Sequence, residues 1–254
     1  MPRIGENSFM PLRLLCVCAH PDDECFAFGG ALALAAMRGV DCSLLCFTSG
    51  DAGSYRGNTT SREELAAVRR EELAASCDVL GIAHHEVLGY SDGTLADQPL
   101  STLARDVVAR IRSFRPQVVL TFGGDGALNT HPDHQAVSAA STAAFHWAGH
   151  PKRCPELGAL YQPQRLFYVT SSFYLPDRPQ PLTTPWTLTL DVRSVFEQKQ
   201  RAFAAHTTQA PLMHQTEPVF REHGMTEYYT LIASPTPQPA TQSRDMFEAL
   251  TDTA

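Results

Sequence analysis

The chain has 254 residues, 43% hydrophobic and 19% charged, which suits one domain with a full core and leaves little length for a second large one. A formal net charge of -7, with no run of Lys or Arg, excludes the basic footprint of a protein that binds nucleic acid or an anionic membrane, and points to small-molecule chemistry. No apolar run approaches the roughly 20 residues of a membrane helix. Residues 1–10 lack a basic stretch followed by an apolar core, so a cytoplasmic location is expected. The seven cysteines include Cys16, Cys18, Cys42 and Cys46 inside apolar runs and no Cys-x-x-Cys pair, a usage that fits buried free thiols rather than disulfides or a thiolate zinc site.

In chain order, residues 12–18 form a continuous apolar run, the motif 20–24 interrupts it, and helix formers over 31–37 lead to Gly39: strand, loop, helix, stop. A second buried strand is predicted over 42–48. Ser61 and Glu64 form a capping box ahead of Leu65, Val68, Leu73 and Cys77 at helical spacing, closed by Gly81. A strand over 86–90, a helix over 103–114, a strand over 118–122 and a helix from about 132 to 147 continue the alternation. Strands separated by helices imply right-handed crossovers and a Rossmann-like, mostly parallel α/β sheet covered on both faces. Strands over 166–171 and 187–190 and a helix over 192–205 follow. The domain is expected to span 1–233, and the Pro-, Thr- and Gln-rich residues 234–254 to form a loosely ordered tail.

Two clusters carry chemistry. Ala19-His20-Pro21-Asp22-Asp23-Glu24 falls at the carboxyl end of the first strand, where open α/β sheets bind ligands. His20 and Asp23, three apart in a turn entering a helix, can aim an imidazole and a carboxylate at one point, as metal chelation requires. Taken alone, the three acidic residues serve equally well to complement a helix dipole. The second cluster, His131-Pro132-Asp133-His134, follows the fourth strand and the loop Gly123-Gly124-Asp125-Gly126. Pro132 suits the first helical position, which puts His134 on the first turn and His131 just before it. With both clusters at neighbouring strand ends, a functional site outweighs capping. The remaining histidines at 84, 85, 146, 150, 214 and 223 read as exposed or packed.

The paired motifs His-Pro-Asp-Asp-Glu and His-Pro-Asp-His resemble those of the LmbE-like, or PIG-L, family of N-acetylglucosaminyl deacetylases. The resemblance extends over about the first 150 residues, through Gly29-Gly30, Thr48-Ser49-Gly50-Asp51-Ala52-Gly53, Arg69-Arg70-Glu71-Glu72-Leu73, Leu88-Gly89-Tyr90-Ser91-Asp92 and Arg115-Pro116-Gln117-Val118-Val119. A weaker echo lies between Lys199 and His206-Thr207-Thr208-Gln209. The resemblance implies a single zinc, or another divalent metal such as Fe2+ or manganese, held by His20, Asp23 and His134 with open positions for water and substrate. It further implies that Asp22 is the general base, acting on water whose pKa the metal lowers towards about 7. His131, oriented and kept protonated by Asp133, is expected to stabilise the tetrahedral intermediate or protonate the leaving amine. Arg56 and Asp92 match loop positions lining the family's substrate pocket. Asn129 stands where several members have a Tyr, so an amide with shorter reach would take over its donation. Cys25 reads as a packed small residue rather than a reactive thiol.

The expected reaction is removal of the N-acetyl group from an N-acetylglucosamine conjugate, with a small amino-sugar conjugate as the only partner, no nucleic acid and no membrane, and a homo-oligomer compatible with the resemblance. Two alternatives stand beside it: an amidase cleaving larger thiol-sugar conjugates with the same metal chemistry, and a non-catalytic carbohydrate-binding module, which a complete set of donors disfavours. A dinucleotide-binding dehydrogenase is disfavoured because no Gly-x-Gly-x-x-Gly follows the first strand.

Overall fold

A computed structural model of the chain describes residues 11–175, 179–237 and 241–250. The first strand β1 (Arg13–Cys18) leads into the short helix α1 (Asp23–Phe26), then α2 (Gly29–Met37), β2 (Asp41–Thr48), α3 (Arg62–Leu80) and β3 (His84–Tyr90). The chain continues through α4 (Leu100–Phe114), β4 (Val118–Phe122), α5 (Pro132–Ala148) and β5 (Arg165–Thr170). It ends with β6 (Leu188–Asp191), α6 (Phe196–Ala204), α7 (Ala210–His223) and β7 (Thr226–Ala233). The capping box ahead of α3 forms in altered shape: Ser61 Oγ accepts from Glu64 N–H at 3.1 Å, while the Glu64 carboxylate turns to Thr60 N–H at 2.7 Å. Gly81, at φ 79°, closes the helix in the left-handed region that favours glycine.

The seven-stranded sheet has the order β3-β2-β1-β4-β5-β7-β6. Strands β3, β2, β1, β4 and β5 are parallel, and β7 pairs antiparallel with both β5 and β6. From β1 the chain builds outward through β2 and β3, then returns to place β4 on the other side of β1. That reversal opens a crevice between the carboxyl ends of β1 and β4, the switch point where such sheets bind ligands. All five residues of β4 and five of the six in β1 are buried, because helices cover both faces: α4 and α5 on one, α2, α3 and α6 on the other. All seven cysteines are free thiols.

Two differences from expectation lie toward the carboxyl end. Helix α7 and strand β7 were not legible: Pro218 interrupts the helical pattern from inside the helix, and β7 gets its place from pairing with β5 and β6. Within the segment expected to be a loose tail, part of residues 241–250 is held against the domain. Ser243 bonds Thr187 and Thr189 through its backbone, Met246 and Phe247 are buried, and Asp245 pairs with Arg38 at 2.7 Å. Residues 238–240 and 251–254 of that segment lie outside the described residues, as do residues 1–10 of the expected domain. The buried Met246 and Phe247 side chains add apolar burial to these polar contacts. Among the described residues, no helix is long and apolar enough to cross a membrane.

Candidate active site

The turn after β1 is set by Asp23, whose Oδ2 accepts the N–H groups of Ala19 at 3.2 Å and His20 at 2.8 Å. This folds the motif back so that His20 and Asp23 share one side. Asp22 pays for the tightness of the turn with φ 99°, a left-handed conformation costing a non-glycine residue about 1–3 kcal/mol. Two contacts hold it there. Its N–H donates to Glu24 Oε2 at 2.9 Å, and its Oδ2 accepts from Arg69 Nη2 at 2.9 Å. Arg69 also donates to the carbonyls of Pro21 and Gly50, and it approaches Gly50 so closely that a Cβ there would lie 2.0 Å from its Nη1. Only glycine fits, because the guanidinium fills the space a side chain would need.

After β4, His131 caps α5 with its ring: Nδ1 accepts the Asp133 N–H at 3.1 Å, and Pro132 occupies the first turn. His134 lies one turn in, stacked on Phe122 with ring centroids 3.9 Å apart, and its Nδ1 meets the Gly126 carbonyl at 3.1 Å. Since a carbonyl only accepts, Nδ1 carries the proton and Nε2 presents a lone pair. His20 is arranged the opposite way. Its Nε2 meets Asp92 Oδ1 at 3.0 Å and Asp133 Oδ2 at 3.2 Å, which leaves Nδ1 as its lone-pair atom.

These lone pairs converge. His134 Nε2 lies 3.3 Å from His20 Nδ1 and 3.2 Å from Asp23 Oδ1, and His20 Nδ1 lies 3.6 Å from Asp23 Oδ2. Donors on a tetrahedral ion at bond lengths of about 2.0–2.2 Å stand about 3.3–3.6 Å apart, so the two nitrogens and the Asp23 carboxylate, reached through Oδ1 by one ring and Oδ2 by the other, are spaced close to what one such ion requires. Nitrogen atoms of His20, His131 and His134 together lie within 4.8 Å of one another, a group that could hold a metal ion.

The electrostatics agree with a site for a cation. Burial alone would depress His20, but hydrogen bonds to Asp133, Asp23 and Asp92 outweigh it and raise its pKa well above the ordinary value. Burial would raise Asp23, yet attraction and hydrogen bonding to His134 and His20 hold it well below the carboxylate range. Asp22 is pushed up to about 6, chiefly by burial, against the pull of Arg69.

Three expectations change here. The Asp133 carboxylate does not orient His131; it accepts from His20 Nε2, Gly93 N–H at 2.7 Å and Leu95 N–H at 3.0 Å. Consequently His131 is not kept protonated: burial, then repulsion from His20 and His134, lowers its pKa. Asp92 does not stand free on a substrate loop but braces the His20 ring. Arg56 is exposed, with its carbonyl accepting from the N–H and hydroxyl of Thr59, and Asn129 accepts the His131 N–H at 3.3 Å while lining the cavity that opens from Asp22, Asp23 and His134. Cys25 is buried with its thiol on the Asp22 carbonyl, a packed residue.

A second polar layer supports the turn from below. Glu24, fully buried, accepts from His206 Nε2 at 2.7 Å and Ser76 Oγ at 2.5 Å, while Glu72 takes the hydroxyls of Thr207 and Thr208. Glu24, Glu72, His206, Thr207 and Thr208 stand in the motifs quoted from the sequence without a role assigned, and Ser76 is not singled out there. One signal is Glu72, a charged residue on the buried face of α3 that also carries Leu65, Leu73 and Leu80.

The sequence profile of the PIG-L family, described as GlcNAc-PI de-N-acetylase, matches residues 15–145, which include both motifs. The chain belongs to the PIG-L family. This family member is 32% identical to 1D-myo-inositol 2-acetamido-2-deoxy-alpha-D-glucopyranoside deacetylase of Rhodococcus erythropolis, across 78% of this chain and 81% of the relative. It is 31% identical to mycothiol S-conjugate amidase of Streptomyces coelicolor, across 77% of this chain and 75% of the relative. Its fold is similar to that of N,N'-diacetylchitobiose deacetylase from Pyrococcus horikoshii, at TM-score 0.73 and 21% identity, covering 94% of this chain and 86% of that one. The PIG-L profile stops at the end of α5, so the cavity walls contributed by α6, α7 and β7 lie outside the matched segment.

Proposed function

We propose that this chain is a zinc-dependent hydrolase that removes the N-acetyl group from an N-acetylglucosamine-type conjugate, releasing acetate and the free amino sugar. The observation that carries the reading is the triangle of His20 Nδ1, Asp23 carboxylate and His134 Nε2, with edges of 3.2–3.6 Å and each ring's other nitrogen already paired. Two imidazoles and one carboxylate suit zinc, with Fe2+ as a competitor for the same donors. When bound, the metal lowers the pKa of water and polarises the amide carbonyl.

The residues of the chain do the rest. Asp22 Oδ2 is held by Arg69, and its Oδ1 has no hydrogen bond among the described residues, so it is placed to take the proton of the attacking water. The same proton is returned to the nitrogen of the breaking C–N bond, which leaves as an amine. His131 accepts a hydrogen bond at Nδ1, so its neutral ring carries the proton on Nε2 and donates it as a hydrogen bond to the carbonyl oxygen as negative charge develops there. Asp92 and Asp133 orient His20, and Asn129 and Arg56 are left to meet the sugar and its substituent. Similarity to the Rhodococcus erythropolis deacetylase supports an amino-sugar substrate; a larger amide, as for the Streptomyces coelicolor S-conjugate amidase, fits the same donors.

The test is metal content together with amine release from a panel of N-acetylglucosamine conjugates, before and after chelation. Chelator-sensitive release restored by zinc is expected. Bound metal with no release from any N-acetyl conjugate would move the assignment to the larger amide.

A further inference from the structure

Asp22, at φ 99°, is held in the left-handed region from two directions. Because φ is the rotation about the N–Cα bond, it is fixed when the backbone N–H and the side chain of one residue are both anchored. Arg69 anchors the side chain by donating to Oδ2 at 2.9 Å. Glu24 anchors the N–H through Oε2 at 2.9 Å, and its other oxygen, Oε1, accepts from His206 Nε2 at 2.7 Å and Ser76 Oγ at 2.5 Å. Glu24 and His206 are both buried, and neither lines the cavity that opens from Asp22, Asp23 and His134. His206 Nδ1 has no partner among the described residues, so the ring directs its hydrogen bonding at Glu24 alone. Burial would lower the His206 pKa, but attraction and hydrogen bonding to Glu24 outweigh it and raise the pKa above its ordinary value, which strengthens the bond with charge.

The His206 turn is itself fixed in place. Its N–H donates to the Phe203 carbonyl at 3.0 Å, near the end of α6, and its carbonyl accepts from Gln209 N–H at 2.9 Å. Glu72 clamps the next two residues by accepting the hydroxyls of Thr207 and Thr208, both at 2.7 Å. Arg69, Glu72 and Ser76 lie on successive turns of the buried face of α3, so one helix holds the Asp22 side chain, the His206 turn and Glu24. We propose that His206 is a positioning residue for the reaction: through Glu24 it holds Asp22 in the conformation that presents its carboxylate beside the metal donors. The inference rests on the reading of Asp22 as the base. The donor triangle does not need this link, since Asp23 is aimed by its own bonds to the N–H groups of Ala19 and His20. His206 therefore acts on proton transfer and leaves the metal and the substrate contacts in place.

The experiment measures kcat, KM, bound zinc and melting temperature for His206→Leu and His206→Gln, on the N-acetylglucosamine conjugate that the wild type cleaves fastest. In His206→Leu, kcat per bound zinc should fall about 10–100-fold, as when other outer partners of a reacting centre are removed, with KM and zinc content near wild type. In His206→Gln, whose side-chain amide can donate to Glu24 in place of Nε2, most of that loss should be recovered. In an Asp22→Asn background, His206→Leu should cause no further fall, because its effect passes through Asp22. A crystal structure of His206→Leu should show the Asp22 φ outside the left-handed region. Ser76→Ala removes the other bond to Glu24 Oε1 and should show the same fall in kcat at smaller size, even if His206→Leu does not fold. Unchanged kcat per bound zinc with a lower melting temperature overturns the proposal and makes the pair a purely structural one. Zinc loss in step with activity, or a further fall of equal size in the Asp22→Asn background, also overturns it. If the wild type releases amine from no conjugate, the deacetylase reading fails separately, and an Asp22 that stays left-handed in the variant structure would still overturn the positioning role.

Discussion

The turns after β1 and β4 and the layer made by α6, α7 and β7 face the same cavity but are built by different physics. In the turns, donors sit within three residues of one another and are aimed by nearby backbone, as when Asp23 accepts the His20 N–H or Asp133 donates to His131. In the other layer, Glu227 reaches the N-terminal end of α2, 197 residues away in sequence, and Phe203 and Phe220 meet Phe26 from two separate helices. The contrast separates the aim of each donor, which geometry within its own turn sets, from the wall of the cavity, which depends on long-range packing.

The sharpest way to test that separation is to remove a donor. His134→Ala should lose bound metal and reduce amine release by about a thousandfold or more, read by metal analysis and single-turnover assay. Retained metal in that variant would make His131 the ligand in its place. Asp22→Asn should keep the metal and lose about 10²–10⁴ in kcat, because it removes the proton acceptor while leaving the donor triangle intact. Substantial metal loss there would mean that Asp22 itself holds the ion.

The contrasting layer predicts damage of another kind. Lys199→Met strands the buried Glu227 carboxylate and should cost about 3–5 kcal/mol of stability, which thermal denaturation would register as a drop of about 10 °C. Metal content should stay near wild type. An unchanged melting temperature would show that the Lys199–Glu227 pair is not what holds this layer.

The smallest effect concerns the carboxyl-terminal segment. Burial would raise Asp245, but hydrogen bonding to Arg38 outweighs it and holds the carboxyl below its ordinary value. A depressed folded-state pKa contributes stability that is complete above the unfolded value of about 3.9 and disappears as pH falls through the folded value. Asp245→Asn should therefore cost less than about 1 kcal/mol at pH 7, since both partners are over a third exposed, and nothing in strong acid. An equal loss at both pH values in denaturant titrations would assign the effect to packing rather than charge.

Legibility followed the same division. The alternation from β1 to α5 was readable because apolar runs, the Ser61 cap, Gly81 and Pro132 are local signals, and the motif residues fall where the strands end. Helix α7 was not, since Pro218 in its interior argues against a helix until packing outweighs it. The partner of Asp133 was misread for a related reason: His131 is its near neighbour in sequence, but the fold delivers His20 Nε2 to its carboxylate from 113 residues away. Asp92 reaches the same nitrogen from the loop after β3.

By itself, then, the sequence determined the parallel α/β frame, the switch point and the identity of the groups that gather there, because hydrophobic periodicity and capping chemistry act over a few residues. The tertiary structure decided which nitrogen of each histidine faces the others, which carboxylate braces which ring, and that a cavity walled partly by α6 and α7 opens beside them. Those outcomes depend on side chains brought together from opposite ends of the chain, and their contacts exist only once the sheet has closed and the helices have packed against it.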